Sequence, residues 1–275
     1  MPIDAVFADA VGPLADPGMG TENAGPLLYA LVRMQRPRNV LAVGLGYSTP
    51  FILQGLADNA AESARDAALL AAASGSARAA LLHPGWPHDA CATVGHCIGV
   101  DDFDAGGARR QALETVVHNL GLVPRLTLLH GRFESVELPL QRLPVQLAWI
   151  DAGHQLDYGA LVQRCWPLLD RDGGVLALHY THIDADLPDG GRAVMPGPAA
   201  NEMKRQLAAA GLHARFELLN LVEPHKQRQG SVTLLRRVDL AEAAIDVPQS
   251  RLEALFYGRG GEPLPDLNHD AAPEP

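Results

Sequence analysis

The chain has 275 residues, of which 47% are hydrophobic and 20% charged, a composition typical of one large α/β domain or of a domain with a small appendage. Its formal net charge of −10 disfavours nucleic acids and anionic membranes as main partners, because both are negatively charged themselves. No apolar run reaches membrane-spanning length, no signal-like leader is recognisable, and the three cysteines are too scattered for a disulfide framework. We therefore expect a cytoplasmic protein.

Residues 1–36 are predicted to form an N-terminal arm followed by one helix. Residues 1–20 are rich in Pro, Gly and Asp, so we expect them to be loosely ordered. Thr21-Glu22-Asn23 can cap a helix from Ala24 to Met34, because four apolar residues recur there at helical spacing: Leu27, Leu28, Leu31 and Val32.

The main domain is predicted to span residues 37–238, and it begins with a strand, a glycine turn and a helix. The apolar run from Val40 to Val43 is typical of a strand buried on both faces of a parallel sheet. Gly44-Leu45-Gly46, the glycine turn, lets the backbone bend sharply, and a helix is expected from Tyr47 to Leu56. Unpaired N–H groups at such a helix start can hold an anionic ligand group, although a plain tight connection between strand and helix is the alternative.

Strands and helices alternate along the rest of this domain. The alanine-rich stretch from Asp58 to Ala80 indicates a helical insertion near residues 58–95. Further strands are predicted at His96–Val100, Arg125–His130, Val145–Ile150 and Val175–Leu178, with helices at Ala108–Leu120 and Tyr158–Leu169. This alternation predicts a doubly wound, mostly parallel sheet.

The segments that follow the fifth strand are predicted to form a lid, a helix and a hairpin. Asp184 to Gly197 is rich in Pro and Gly and is expected to be a lid loop. Asn201–Ala210 is a predicted helix, and Ala214–Val222 with Ser231–Val238 can pair only as an antiparallel hairpin, because their linker is short. Residues 239–275 are expected to add a C-terminal helix and a disordered tail.

Asp101 and Asp102 follow the second predicted strand and are candidate ribose ligands. A carboxylate at that strand end, next to the glycine turn, can accept both ribose hydroxyl protons, whereas a solvated aspartate pair is the plain alternative. Asp101 lies 55 positions after Gly46, against the roughly 20 expected. Either the insertion is real or Asp101 is not the ribose ligand.

With these elements in place, the chain resembles a class I S-adenosylmethionine-dependent methyltransferase of the small-molecule O-methyltransferase-like branch, which includes the relatives of catechol O-methyltransferase. The resemblance covers about residues 21–238 and rests on two blocks, Val-Gly-Leu-Gly-Tyr-Ser-Thr at 43–49 and Trp-Ile-Asp-Ala-Gly-His at 149–154 with Gly-Gly-Val at 173–175 downstream. It implies a seven-stranded sheet in the order 3-2-1-4-5-7-6 with an antiparallel terminal hairpin.

The resemblance also implies S-adenosylmethionine as the cofactor and an oxygen or nitrogen of a small metabolite as the methyl acceptor. The cofactor-binding residues that it implies are Gly44, Leu45, Gly46, Tyr47, Ser48, Asp101, Asp102, Gly131, Arg132, Phe133 and Asp151. In this assignment the turn and Ser48 hold the amino-acid end, Asp101 takes the ribose, residues 131–133 flank the adenine, and Asp151 lies near the methionine end.

The chain departs from the family pattern at three positions. Ala42 stands where relatives often carry an acidic residue, so the cofactor's ammonium would need another partner such as Asp151 or Glu22. Arg132 replaces an acidic residue that is often found after the third strand. Tyr180 stands where metal-dependent relatives carry an aspartate, and we therefore expect no metal, because a hard cation needs oxygen ligands.

Methyl transfer requires an aligned nucleophile and a base that removes its proton. The candidate catalytic residues are His179, His182, Asp151, His154 and Tyr180, which lie at or just after the ends of adjacent strands. We favour His179 or His182 as the base and Tyr180 as an orienting hydroxyl. Two alternatives remain, in which the histidines only stabilise the strand ends or, together with the aspartate, bind a metal ion.

Two other functions are compatible with the same pattern. A nicotinamide-linked oxidoreductase is disfavoured because Thr49 stands where the dinucleotide motif has its third glycine. The chain could also be a non-catalytic cofactor-binding protein, as Ala42 and Tyr180 make conceivable. The partners considered are a small-molecule acceptor and a second copy of the chain in a homodimer.

Overall fold

The computed structural model describes most of the chain up to residue 238. The described residues are 3–16, 18–72, 82, 94–103, 107–152, 158–197, 201, 205, 216–223, 225–226 and 230–238. Several predicted features lie wholly or mainly outside them: the helix at 201–210, most of the insertion, the C-terminal segment and His154.

The described residues form five α-helices and nine strands. The helices are α1 (Ala5–Val11), α2 (Ala24–Gln35), α3 (Ser48–Ala71), α4 (Ala108–Asn119) and α5 (Tyr158–Cys165). The strands are β1 (Asn39–Val43), β2 (His96–Asp101), β3 (Leu126–His130), β4 (Leu147–Ile150), β5 (Asp172–His179), β6 (His182–Asp186), β7 (Arg192–Pro196), β8 (Phe216–Leu221) and β9 (Val232–Val238). Within this part of the chain, no helix is both long enough and apolar enough to cross a membrane.

Seven of these strands form one sheet in the order β3-β2-β1-β4-β5-β9-β8. The pairs among the first five strands are parallel, whereas β9 is antiparallel to both β5 and β8. With β8 and β9 as the sixth and seventh strands, this is the predicted order. The predicted doubly wound sheet with its antiparallel terminal hairpin is therefore confirmed.

The central strands have apolar side chains on both faces, which is why they form the middle of the sheet. In β1, Leu41 and Val43 pack on the face covered by α5, whereas Val40 and Ala42 pack on the face covered by α2, α3 and α4. Both faces of such a strand are shielded from water, as in other doubly wound sheets.

The expectation that residues 1–20 are loose was wrong for the segment that forms α1. The Asp4 carboxylate accepts a hydrogen bond from the Phe7 backbone N–H at 2.9 Å and so caps this short helix. The Phe7 ring is buried and meets Phe51 of α3 edge to face, with 5.0 Å between ring centroids. Two apolar anchors, Phe7 and Val11, give the segment enough buried surface to dock on α3 and α4.

Helix α3 extends well beyond its predicted end at Leu56 and runs to Ala71, so the start of the expected insertion is a continuation of this helix. Polar contacts with α2, one buried and one partly buried, support the extension. The Asn59 side-chain amide donates to the Val32 carbonyl at 2.8 Å, and the Arg33 guanidinium pairs with Glu62 at 2.9 Å. The prediction stopped at Leu56 because the apolar pattern weakens there, whereas alanine, the best helix former, continues the helix.

The predicted lid loop at 184–197 was also wrong in part, because β6 and β7 pair antiparallel there as a separate two-stranded sheet. The chain reverses at Gly190, which has a φ of +82°, and the Leu187 N–H donates to the Gly191 carbonyl at 2.7 Å. The Pro and Gly content of this segment predicted a loop, but its glycines form the tight turn of a hairpin.

Gly44 should tolerate no side chain. Its φ is +82°, and a Cβ there would lie 2.1 Å from the Asp151 carbonyl oxygen. We expect Gly44→Ala to lower the free energy of unfolding by about 3 kcal/mol or more, from strain and overlap together. Gly46→Ala is the matched control, because no atom of the described residues lies within 4 Å of its Cβ position. Urea unfolding followed by circular dichroism measures both, and equal losses for the two variants would contradict this account.

Candidate functional site

The parallel register brings the predicted site residues to one edge of the sheet. Val43 pairs with Val100 of β2 and with Ile150 of β4, and Ile150 in turn pairs with Leu178 of β5. The residues next in the chain are Gly44, Asp101, Asp151 and His179. They line the carboxyl ends of four adjacent strands, the edge where ligands bind in such sheets.

The two glycines of the turn have different functions. Gly44 donates its N–H to the Val100 carbonyl at 3.0 Å and packs directly against the backbone of Asp151, so it is required by the fold itself. Gly46 has open space beside it, as far as the described residues show. Of the two glycines, Gly46 is therefore the one that leaves room for a ligand at the start of α3.

The carboxylate of Asp101 holds the glycine turn in place. It accepts the Leu45 N–H at 2.6 Å and the Phe103 N–H at 2.7 Å, and the Arg109 guanidinium donates to it at 2.6 Å. Its side chain is only 3% exposed, yet it lies at the strand end that the ribose assignment requires. Asp101 therefore has a structural role as well. Its side chain, at the end of β2, stabilises the glycine turn that follows the neighbouring strand β1.

The hydroxyl groups at the start of α3, those of Ser48 and Thr49, form hydrogen bonds within the protein. The Ser48 hydroxyl is buried and accepts a hydrogen bond from the Trp149 indole N–H at 3.1 Å. The Thr49 hydroxyl accepts the Gly46 N–H at 3.1 Å. Tyr47 is half-buried, and burial together with the charge of Glu22 raises the pKa of its hydroxyl. Ser48 can still donate its own proton to a ligand, but Trp149 fixes its position.

The residues predicted to flank the adenine have different positions, since Arg132 lies on the surface and Phe133 in the core. Arg132 is exposed and pairs with Glu134 at 3.4 Å, whereas Phe133 is buried in the core beneath the Arg164 guanidinium, 5.0 Å from its ring centroid. An adenine contact by the Phe133 side chain therefore has no support in this geometry. Gly131, with a φ of +144°, leaves backbone open to contact.

Two aromatic residues that the sequence did not single out lie at this end of the edge. Phe103 follows the aspartate pair and stacks on the His130 ring, with centroids 6.3 Å apart and planes 19° apart. The His130 Nε2 lies 2.9 Å from the carbonyl of the exposed Asp102. His130 is the last residue of β3, so its position at a strand end is the signal that could have identified it.

The buried His179 and the partly buried Asp151 form a pair at the other end of the edge. The His179 Nδ1 lies 2.8 Å from the Asp151 carboxylate, and its Nε2 lies 3.4 Å from the Gly20 carbonyl. Burial alone would lower the pKa of His179, but the hydrogen bond and charge of Asp151, with smaller contributions from Gly20 and Glu223, raise it above its ordinary value. The Tyr158 hydroxyl donates to the His179 carbonyl at 2.6 Å and fixes this strand end.

Gly20 belongs to a segment, Gly18–Asn23, that we name the N-terminal strap. It contacts the loop between β8 and β9. The Lys226 ammonium lies 2.9 Å from both Glu22 and Glu223, and the Asn23 side-chain amide donates to Glu223. The strap therefore connects the start of the chain, the terminal hairpin and the Asp151–His179 pair. Glu22, considered from the sequence as a partner for an ammonium group, has such a partner in Lys226.

His182 and Tyr180 have different surroundings. His182 is buried; its N–H donates to the Ser231 hydroxyl at 2.9 Å, and its Nδ1 lies 3.1 Å from the Thr181 hydroxyl. Tyr180 has a φ of +55° and is 37% exposed, next to His179. A left-handed conformation is strained for a tyrosine and is often retained where function requires it.

The described residues contain no group of three or more His, Cys, Asp or Glu side chains arranged to hold a metal ion. Cys97 and Cys165 are buried, and burial raises the pKa of each thiol to about 12. Neither thiol can therefore act as a nucleophile near neutral pH.

Comparisons with known proteins show the same architecture. No family model and no curated protein matches the sequence. Among solved structures, the O-methyltransferase TomG from Streptomyces achromogenes, in complex with S-adenosylmethionine, is 14% identical with a TM-score of 0.54, covering 86% of this chain and 90% of its own. An O-methyltransferase from Bacillus cereus, in complex with S-adenosylhomocysteine, is 16% identical with a TM-score of 0.53, covering 86% and 92%. The S-adenosylhomocysteine-bound methyltransferase PaMTH1 from Podospora anserina is 15% identical with a TM-score of 0.52, covering 86% and 89%.

These likenesses establish the fold. The chain has the Rossmann-like α/β fold of class I S-adenosylmethionine-dependent methyltransferases, as its sequence resemblance implied. The identities are low, so the function has to be argued from the site itself.

His179 should make stability depend on pH. Because its folded-state pKa is raised, its contribution is complete below the unfolded pKa of about 6.5 and is lost as pH rises through the folded value. We expect His179→Phe to lower the free energy of unfolding by about 1–3 kcal/mol at acidic pH, since the Asp151 carboxylate and the Gly20 carbonyl lose their partner.

The measurement is the difference in unfolding free energy between wild type and His179→Phe from pH 5 to 9, in which all other titrations largely cancel. This difference should shrink as pH rises. His118→Asn, which removes an exposed histidine at the end of α4, is the control variant for the loss of an imidazole without a carboxylate contact among the described residues. A difference that is constant across this range would rule out the proposed charge interaction.

Proposed function

We propose that this protein is an enzyme that transfers a methyl group from S-adenosylmethionine to an oxygen or nitrogen of a small metabolite. The observation that supports this most directly is the arrangement at one sheet edge of the open Gly46, the Asp101 carboxylate and the Asp151 carboxylate. These groups lie at the ends of three adjacent strands, and each suits a different part of an adenosyl amino acid.

The residues fit that cofactor at both ends. Gly46 leaves room beside the first turn of α3, whose N–H groups favour the cofactor's carboxylate, with Ser48 as a further donor. Asp101 and Asp102 are the ribose candidates, and Asp101 has the buried position that makes a carboxylate a strong acceptor. Asp151, 16% exposed, is the acidic candidate for an ammonium, because Ala42 is apolar, Glu22 pairs with Lys226, and the hydrogen bond with His179 uses only the Oδ1 of Asp151.

The bound cofactor would supply a methyl group already activated by the sulfonium, so the protein has to align the acceptor and remove its proton. Of the candidate bases, His179 fits best, because Asp151 orients its ring through Nδ1, as the carboxylate does in a catalytic triad. Its Nε2 makes only a long contact with Gly20, and an acceptor hydroxyl could take that place. The His182 imidazole instead contacts the Thr181 hydroxyl, and its backbone N–H donates to Ser231 of the terminal hairpin. The Tyr180 ring lies next to that of His179, so its hydroxyl is the candidate for orienting the acceptor.

Cofactor binding is the first test. We expect S-adenosylhomocysteine to bind the wild-type protein, and Asp101→Asn to weaken binding by about 10- to 100-fold, because a charged acceptor of the ribose hydroxyls is lost. Asp172→Asn is the matched control, since Asp172 is exposed at the opposite end of β5. Isothermal titration measures the affinities, and circular dichroism verifies that each variant is folded.

The same titration separates the alternatives. Binding of a nicotinamide dinucleotide without binding of S-adenosylhomocysteine would replace this proposal with an oxidoreductase. Binding of S-adenosylhomocysteine with no turnover on any acceptor would favour a non-catalytic cofactor-binding protein.

Turnover is the second test. With a panel of phenols, catechols, alcohols and amines, release of S-adenosylhomocysteine identifies the acceptor class. We expect Asp151→Asn to lower kcat by about 100-fold or more, because His179 loses the group that orients it and stabilises its charge. The acidic limb of the pH profile of kcat/KM should report His179 in the wild type. An unchanged profile in His179→Gln would assign the base to another residue.

A further inference from the structure

The Asp101 carboxylate accepts one hydrogen bond, from Arg109, that does not contribute to the structure of the glycine turn. Arg109, in the first turn of α4, donates from Nη2 to the Asp101 Oδ2 at 2.6 Å. The two side chains differ sharply in exposure, since Arg109 is 57% exposed and Asp101 only 3%. The ion pair therefore joins the buried Asp101 carboxylate to the long, mostly exposed side chain of Arg109.

The acceptor capacity of this carboxylate is almost used up. A carboxylate offers about four lone-pair positions. Oδ2 accepts both the Leu45 N–H and Arg109, and Oδ1 accepts the Phe103 N–H. One position remains on Oδ1, whereas the two hydroxyls of a ribose would donate two hydrogen bonds. Either the ribose forms a single bond or one present donor leaves.

Of these three donors, only Arg109 can leave without disturbing the glycine turn or the backbone at Phe103. The Leu45 N–H belongs to the glycine turn and the Phe103 N–H to a residue with a φ of +45°, so losing either bond would disturb the backbone. Arg109 is held by its side chain alone. More than half of that side chain is in water, where a guanidinium regains its hydrogen bonds at little cost.

We infer that Arg109 is an internal competitor of the cofactor's ribose, occupying the Asp101 Oδ2 in the free protein and yielding it when the cofactor binds. The inference rests on the proposed function, because it assumes that a ribose occupies this position. In the free protein Arg109 neutralises a buried carboxylate that would otherwise carry its charge with only two backbone donors. In the complex the two ribose hydroxyls would donate hydrogen bonds to the Oδ1 and Oδ2 of Asp101, the second in place of Arg109.

Arg109→Ala tests this directly. Removing a competitor should make S-adenosylhomocysteine bind about two- to fivefold more tightly at low salt, the range expected for breaking a partly exposed ion pair. Binding to wild type should tighten as salt rises from about 20 to 300 mM, because salt screens the ion pair that has to break, and Arg109→Ala should lack this dependence. Arg109→Lys, which keeps the charge, should behave nearly as wild type.

Arg236→Ala is the matched control, because Arg236 forms an exposed ion pair with Glu217 on the terminal hairpin. It should change neither the affinity nor its salt dependence. The 2′-deoxy analogue of S-adenosylhomocysteine distinguishes competition from a purely structural effect of the substitution. This ligand has one hydroxyl fewer and can therefore bind while Arg109 stays on Asp101. The increase in affinity caused by Arg109→Ala should then be smaller than it is for S-adenosylhomocysteine.

The outcomes separate the two proposals. If wild type and Arg109→Ala both bind S-adenosylhomocysteine and the variant binds equally or more weakly, Arg109 is no competitor, although the proposed function stands. If Arg109→Ala instead loses affinity for a 2′-phosphorylated dinucleotide, Arg109 is a phosphate ligand and this inference is wrong. If neither protein binds S-adenosylhomocysteine, the proposed function fails and the inference falls with it.

Discussion

The site depends on one buried carboxylate, because Asp101 of β2 holds the glycine turn that follows β1. It accepts the Leu45 N–H of the turn and the Phe103 N–H that follows β2, and the bond to Leu45 adds to the hydrogen bond that Gly44 donates to the Val100 carbonyl. A buried anion with charge-assisted bonds is stable only while its donors remain in place, so the turn and the carboxylate order each other. The proposed binding of a ribose would use the same carboxylate, so Asp101 would combine a structural role with a binding role.

A second carboxylate, Asp151, organises the other end of the edge in a different way. Its backbone packs on Gly44, while its side chain pairs with His179, which reaches the N-terminal strap through Gly20. Through Lys226 the strap is tied to the terminal hairpin as well. Three parts of the chain that are far apart in sequence therefore meet beside the position proposed for methyl transfer, where a strap can exclude water and shape the acceptor pocket.

The parts of this structure that the sequence predicts are those set by local pattern. The apolar run of β1, the glycines that follow it and the aspartates after β2 and β4 determine the sheet and its functional edge, and all of them can be recognised within a few residues. The length of α3 was underestimated, because alanine supports a helix without an apolar stripe. Contacts across long separations, such as Gly20 with His179 or Arg109 with Asp101, leave no local signal, since packing alone determines them.

This difference explains why the roles of single residues were harder to predict than their positions. Gly44 and Gly46 look alike in sequence, yet one fits against a backbone carbonyl and the other faces open space. Arg132 and Phe133 are neighbours, yet one is solvated and the other lies in the core under Arg164. A motif predicts which residue lies at a strand end. Side chains from neighbouring elements determine whether the polar group of that residue is already hydrogen-bonded within the protein. For Asp101 that neighbour is Arg109, a residue outside the motif in the first turn of α4, and the inferred competition with the ribose would make the affinity of the site depend on this exposed side chain.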